Sequence, residues 1–222
     1  MDGRDLSGAR VAILATHGFE RSELEEPLRA LRDAGARVEV VSPEAGEIRS
    51  WEKDHWGDSF PVDRTLDAVE TFDDYDALVL PGGQINPDVL RLDARAVAFV
   101  RAMVESGKVV GAICHGPWLL AEADVLAGRT VTAWPSVRTD LRNAGARVVD
   151  EAVVVDGRPV TSRKPDDPPA FCDRLAAGIA AARRGAAAAA RAAAGRLSRP
   201  ARRRPRPPGP GCRRRSPPRR PP

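Results

Sequence analysis

One thiol in this chain is spaced to act as a nucleophile. The segment Val109-Val110-Gly111-Ala112-Ile113-Cys114-His115-Gly116-Pro117-Trp118-Leu119-Leu120 reads as an apolar strand, a sharp turn and the start of a helix. Ala112 and Gly116 flank Cys114 two positions away on each side. That is the spacing of a nucleophile elbow, where bulk would clash as the strand folds back into the helix. Such a turn aims helix N–H groups and the positive end of the helix dipole at the sulfur. A free thiol, with a pKa of ~8.5, is only a few per cent thiolate at neutral pH, and this placement is expected to favour the thiolate. A small buried residue behind a core strand would also account for a lone cysteine. His115, Gly116 and Pro117 suit a functional turn better than a core.

A cysteine nucleophile needs a base and a group that orients it. The chain has three histidines, His17, His55 and His115, and none follows Cys114 except its immediate neighbour. His115 is therefore the candidate partner, although adjacent side chains rarely point the same way. Glu20 follows the first strand, within reach of the elbow, and its rival role is a solvated carboxylate at a helix start. Gly82 and Gly83 end another strand without side chains, so their N–H groups, with that of His115, form a candidate oxyanion hole. Pro-Gly-Gly by itself is only a turn, and position opposite the elbow is what promotes it. His17 reads as a loop residue near the pocket, Trp118 as packing or pocket wall, and Cys172 as a small buried residue. Arg163 and Lys164 suit either an anionic substrate or a surface charge pair.

Strand-like and helix-like segments alternate from Arg10 to about Arg184, which predicts an α/β fold with a mainly parallel sheet. Val11 to Ala15, Arg37 to Ser42, Ala77 to Leu80 and Lys108 to Ile113 are its strands. The spacing Ser22-x-x-Glu25 predicts a helix start, Leu24, Leu28 and Leu31 an apolar stripe, and Gly35 its end. Pro27 should kink that helix or delay its regular start. Gly46 to Val62 reads as a hairpin excursion, Asp93 to Ser106 and Pro117 to Glu122 as helices. Short strands are expected near Val131, Val148, Val153 and Val160, with a helix from about Pro169. Ala15, Leu80 and Ile113 would then carry loops with Glu20, Gly82 and Cys114 at the carboxyl ends of strands, where doubly wound sheets form sites.

Composition divides the chain. Residues 183–222 hold 14 of the 35 basic residues and none of the 31 acidic ones, so residues 1–182 carry a formal charge of −10. The predicted organisation is an α/β domain over 1–184 and an Ala/Arg/Pro-rich basic tail over 185–222, disordered beyond Gly195. An acidic body argues against a broad nucleic-acid face on the domain, and the tail is the segment suited to weak contact with nucleic acid. Cys114, Cys172 and Cys212 give neither a disulfide framework nor metal-ligand spacing, so no metal and no cofactor are expected. The first ten residues lack an apolar signal region and no run is long enough to span a bilayer. A reducing cytoplasm is the expected compartment.

Ala112-Ile113-Cys114-His115-Gly116-Pro117 resembles the nucleophile motif of the PfpI-type intracellular cysteine protease and protein deglycase family, within the class I glutamine amidotransferase-like superfamily. The likeness continues through Gly18-Phe19-Glu20, Leu78-Val79-Leu80-Pro81-Gly82-Gly83, Asn86-Pro87-Asp88 and Ser162-Arg163-Lys164-Pro165-Asp166-Asp167, and so covers most of residues 8–182 in order. The resemblance implies a flavodoxin-like three-layer sandwich with Cys114 at its central elbow. It implies that Glu20 hydrogen-bonds the nucleophilic sulfur as a protonated carboxyl. It also implies a carboxylate from a neighbouring subunit beside His115, and alignment places Asp88 there. Asp is shorter than the Glu of family proteases, and an N-cap after Pro87 is its other role. Amidotransferases of the superfamily place a catalytic His-x-Glu far downstream, which this chain lacks, so glutamine hydrolysis is excluded. The implied function is a cysteine-dependent hydrolase working as a homodimer or higher homo-oligomer with a shared active site. It would be a peptidase, or a deglycase or glyoxalase acting on methylglyoxal-type aldehydes and their protein adducts. The alternative is a non-enzymatic redox-sensing or chaperone-like stress protein with an oxidisable Cys114.

Overall fold

The computed structural model describes residues 5–197. Its strands are β1 (Arg10–Leu14), β2 (Phe19–Glu20), β3 (Arg37–Ser42), β4 (Glu47–Glu52), β5 (His55–Pro61), β6 (Arg64–Thr65), β7 (Ala77–Leu80), β8 (Val109–Ile113), β9 (Thr130–Val131), β10 (Arg147–Val148), β11 (Val153–Val155) and β12 (Pro159–Ser162). The helices are α1 (Arg21–Asp33), α2 (Ile85–Leu90), α3 (Ala94–Glu105), α4 (Pro117–Glu122), α5 (Arg138–Asn143) and α6 (Pro168–Leu197).

Seven strands form the central sheet in the order β11-β12-β8-β7-β1-β3-β6. Every pairing in it is parallel except β11 with β12 at one edge. In the three central strands β8, β7 and β1, residues 109–113, 77–80 and 11–14 read as unbroken apolar runs because both faces are covered. In β1, Val11 and Ile13 face a layer that includes Leu24 and Leu31 of α1 and Phe171, Leu175 and Ile179 of α6. Ala12 and Leu14 face the opposite layer, with Phe99 and Met103 of α3 and Leu119 of α4. The period-two alternation of the strand thus divides one apolar run between two cores. The result is the expected three-layer α/β sandwich. Truncating a buried core residue such as Leu175 to Ala costs about 2–5 kcal/mol in such packing.

Since β7 lies between β1 and β8, the loops after Leu14, Leu80 and Ile113 emerge side by side. A second sheet, β2-β4-β5, stands beside them, with β4 and β5 the expected antiparallel hairpin. Trp51 and Trp56 brace that hairpin edge-to-face, their ring centroids 5.4 Å apart. β9 and β10 pair separately.

Helix α1 departs from expectation at its start. It begins at Arg21 with Glu20 in the cap position, no side chain caps it, and the Ser22 hydroxyl is buried without a partner. The capping box therefore does not form. The helix also runs on through Pro27, which is buried against the core. Asp93 caps α3, its Oδ1 accepting the Arg95 and Ala96 N–H groups at 2.8 and 3.0 Å. The compact unit of the chain extends to Ala187. The expected disordered segment beyond Gly195, and Cys212 within it, fall almost wholly outside the described residues. No helix among the described residues is long and apolar enough to cross a membrane.

Candidate active site

Cys114 occupies the left-handed region with φ 61°, one of three non-glycine residues to do so among those described. That conformation is costly for a residue with a Cβ, and such outliers gather at active sites. Here the surroundings enforce it. The Cys114 N–H donates to the Ser162 carbonyl at 3.0 Å, and its carbonyl accepts the Trp134 N–H at 2.9 Å. The Gly116 N–H returns to the Ile113 carbonyl at 2.8 Å and closes the turn. Leu80 and Ile113 carbonyls occupy the space a Cβ on residue 116 would need, so only glycine fits there.

The rotated backbone brings neighbouring side chains together. His115 Nδ1 lies 3.3 Å from Cys114 Sγ, and His115 Nε2 lies 3.2 Å from Ser136 Oγ. The imidazole stacks on Trp134 with centroids 5.9 Å apart and meets Trp118 edge-on at 5.6 Å. Burial holds its pKa below the usual histidine value, so the ring is neutral near pH 7.

Behind the sulfur sits Glu23, not Glu20. Its side chain is fully buried and faces the Cys114 thiol. Oε2 accepts the Gly82 N–H at 2.8 Å, while Oε1 has no hydrogen-bond partner. Burial pushes this carboxyl up to about 8, so it keeps its proton at neutral pH. Glu20 lies at the end of β2, half-buried on the pocket wall, its pKa raised by burial and by Glu52. The carboxyl beside the sulfur is thus one helical turn further on than expected. Glu23 falls with Leu24, Pro27 and Leu31 on the inward side of α1, and a carboxylate on that buried face was the signal available in the sequence.

The thiol also differs from expectation. Burial pushes the Cys114 thiol up, outweighing the His115 and Gly83 N–H groups that favour its thiolate. Helix α4 is only six residues long and supplies a weak dipole. A raised thiol needs a base at hand, and neutral His115 Nδ1 occupies that position.

Gly82 and Gly83 play different parts. The Gly82 N–H is taken by Glu23, so it leaves the expected oxyanion set. Gly83 and His115 N–H groups face the sulfur and remain. A Cβ on residue 82 would lie 2.6 Å from Glu23 Oε2, 2.7 Å from Cys114 Cβ and 2.8 Å from His115 N, so bulk there would break the arrangement. Asn86, fully buried, ties the neighbouring loops together. Its Oδ1 accepts the Thr16 N–H at 2.7 Å, and its Nδ2 donates to the Pro81 and Gly82 carbonyls at 2.9 and 3.2 Å.

Asp88 is exposed in the first turn of α2, makes no hydrogen bond or ion pair with His115 among the described residues, and is not the cap, since Gln84 holds that position. His17 Nδ1 accepts the Arg49 N–H at 3.0 Å and so anchors the hairpin. Arg163 pairs with Asp150 and Asp167, and Lys164 with Asp166. Among the described residues no cluster of three or more His, Cys, Asp or Glu could hold a metal ion. Cys114 and His115 line a pocket of about 580 Å³, walled by Glu20, Glu52, Trp51 and Trp134.

Residues 9–177 match the sequence profile of the DJ-1/PfpI family. The chain belongs to that family. It is 45% identical over 166 residues to General stress protein 18 of Bacillus subtilis, covering 74% of this chain and 94% of that protein. Protein/nucleic acid deglycase 2 of Escherichia coli is 47% identical over 163 residues, 73% of this chain and 92% of that one. The crystal structure of Drosophila melanogaster DJ-1beta superposes with a TM-score of 0.68 at 26% identity, covering 81% of this chain and 97% of that one. In this chain the cysteine elbow follows β8 on the C-terminal side of the sheet, where a parallel α/β fold forms its sites.

Proposed function

We propose that this protein is a cysteine-dependent deglycase or glyoxalase-type enzyme, with Cys114 as nucleophile and His115 as base. The observation that carries the reading is His115 Nδ1 at 3.3 Å from Cys114 Sγ in an open pocket. The name of the Escherichia coli relative supports the substrate class.

On an aldehyde such as methylglyoxal, the sulfur adds to the aldehyde carbon as the thiol proton passes to His115 Nδ1. The Gly83 and His115 N–H groups face the developing alkoxide. His115 returns that proton to the alkoxide, giving a hemithioacetal. As a neutral base again it carries the C–H proton from the former aldehyde carbon to the adjacent carbon, while the hydroxyl proton passes to the neighbouring oxygen, which leaves a thioester of a hydroxy acid. Water cleaves that thioester, releasing lactate and restoring the thiol. The steps are redox-neutral overall and require no cofactor. On an aldehyde–amine adduct, the sulfur displaces the amine first. Glu23, protonated behind the sulfur, acts as a hydrogen-bond donor to the thiolate once it forms.

The working unit in this reading is a homo-oligomer. Asp88 is exposed beside Ile85, Val89 and Leu92, exposed apolar residues on and just after α2. Solvated apolar groups on one helix suit burial against another copy, which would bring Asp88 to a neighbour's His115. Peptide hydrolysis by the same pair remains the second reading, since a thiol and a neutral imidazole also serve amide attack.

Steady-state assay of wild type and Cys114→Ser with methylglyoxal and with a fluorogenic peptide tests the proposal. Lactate formation by wild type, lost in Cys114→Ser, is the expected result. Turnover that survives in Cys114→Ser, or none by wild type on either substrate, overturns it.

A further inference from the structure

The His115 ring is held at both nitrogens within one chain. Nδ1 faces the thiol, and Nε2 lies 3.2 Å from Ser136 Oγ. Ser136 lies on a single helical turn, Pro135–Val137, that is itself fastened to the elbow. The residue before it, Trp134, donates its N–H to the Cys114 carbonyl at 2.9 Å, and Val137 after it is fully buried. Trp134 covers one face of the imidazole, and Trp118 meets it edge-on, fixed by Nε1–H donation to Asp140 at 2.8 Å. The ring is walled against rotation, so each nitrogen keeps one partner.

A neutral imidazole carries one N–H and one lone pair, and the partner of one nitrogen decides the role of the other. We propose that Ser136 is the positioning residue that sets the tautomer of His115: its Oγ accepts the Nε2–H, leaving the Nδ1 lone pair facing the Cys114 thiol. The opposite tautomer would point an N–H at the thiol and leave no acceptor for its proton. Ser136 is exposed, so its own hydroxyl proton is open to solvent while the oxygen holds the ring. Burial keeps the ring neutral, the state in which a tautomer choice exists. The proposal rests on the reading of Cys114 and His115 as nucleophile and base, and it supplies an orienting group from within the same chain.

Long-range proton–nitrogen NMR of ¹⁵N-histidine-labelled resting protein reads the tautomer without any substrate. The wild type is expected to show Nε2–H at His115, and Ser136→Ala a mixture of both forms. In the same variant kcat should fall roughly tenfold or more, as expected for a misoriented general base, at nearly constant KM. Ser136→Thr should restore both readouts. An unchanged tautomer in Ser136→Ala, or a kcat loss that Thr does not restore, overturns the assignment. A wild type that turns over nothing would defeat the proposed function, and the NMR comparison would still decide the role of Ser136.

Discussion

The Gly82 N–H donates to Glu23 Oε2 at 2.8 Å, and this one bond links the strand-end loop to the buried acid behind the nucleophile. Gly82 has no Cβ to hold the carboxyl away, and Glu23 is fully buried, where a charge is costly. The acid therefore stays protonated and serves both as acceptor from Gly82 and as potential donor toward sulfur.

The pH dependence of stability should expose this acid. Its folded pKa, about 8, lies above the ordinary carboxyl value of 4.5. For a carboxyl raised on folding, the stability is fully present below 4.5 and is lost as pH climbs toward 8, because only the unfolded chain ionises freely. Glu23→Gln keeps the acceptor for Gly82 and cannot ionise. At pH 5 the two proteins should unfold at similar urea concentrations. By pH 8 the variant should be the more stable, by about 1.4 kcal/mol for each unit by which the pKa is raised. Parallel urea curves across this window would contradict the buried protonated acid.

Gly82→Ala should damage catalysis more than folding. The added methyl meets Glu23 Oε2, Cys114 Cβ and the His115 nitrogen at 2.6–2.8 Å, so something must shift. Overpacking of this kind costs about 1–3 kcal/mol of stability. A displacement on the order of 1 Å at the reacting atoms lowers kcat/KM by roughly a hundredfold. A variant with wild-type turnover would show that the loop can move without disturbing the elbow.

Asn86 should be a stability residue rather than a chemical one. Asn86→Leu leaves the Thr16 N–H and the Pro81 and Gly82 carbonyls without their side-chain partner. Each buried group left unpaired costs about 1–3 kcal/mol. Asn86→Asp keeps the acceptor for Thr16 but loses both donated bonds, so its melting temperature should lie between the other two. An Asn86→Leu protein as stable as wild type would mean that water replaces the amide.

The sheet was legible because apolar runs of five residues, spaced by helical stripes, leave few other ways to bury both faces. The elbow was legible because Ala112 and Gly116 bracket the cysteine. The surrounding carboxyl was not. Glu20 and Glu23 are one helical turn apart, and which one points inward depends on a helix that starts at Arg21 rather than Ser22. The contact between Cys114 and His115 was hidden for a backbone reason, since adjacent side chains converge here through the left-handed φ at Cys114. Ser136 gave no signal at all, because a loop serine carries no periodicity and reaches His115 only through the fold.

Asp88 is the residue whose role depends on a second copy. Within its own chain it lies on the exposed side of α2 with no hydrogen bond or ion pair to His115, while Ser136 already holds the outer nitrogen of the ring. If Asp88 completes a neighbour's site, Asp88→Ala and Cys114→Ser are each defective, but a hybrid dimer pairs an intact Cys114 with an intact Asp88 at one of its two sites. Random exchange makes half the dimers hybrid, so a mixture should recover up to about a quarter of wild-type activity. Subunit exchange is verified by mass spectrometry of differently tagged chains. Full activity in Asp88→Ala alone, or no recovery despite proven exchange, would leave His115 oriented by Ser136 without help from another subunit.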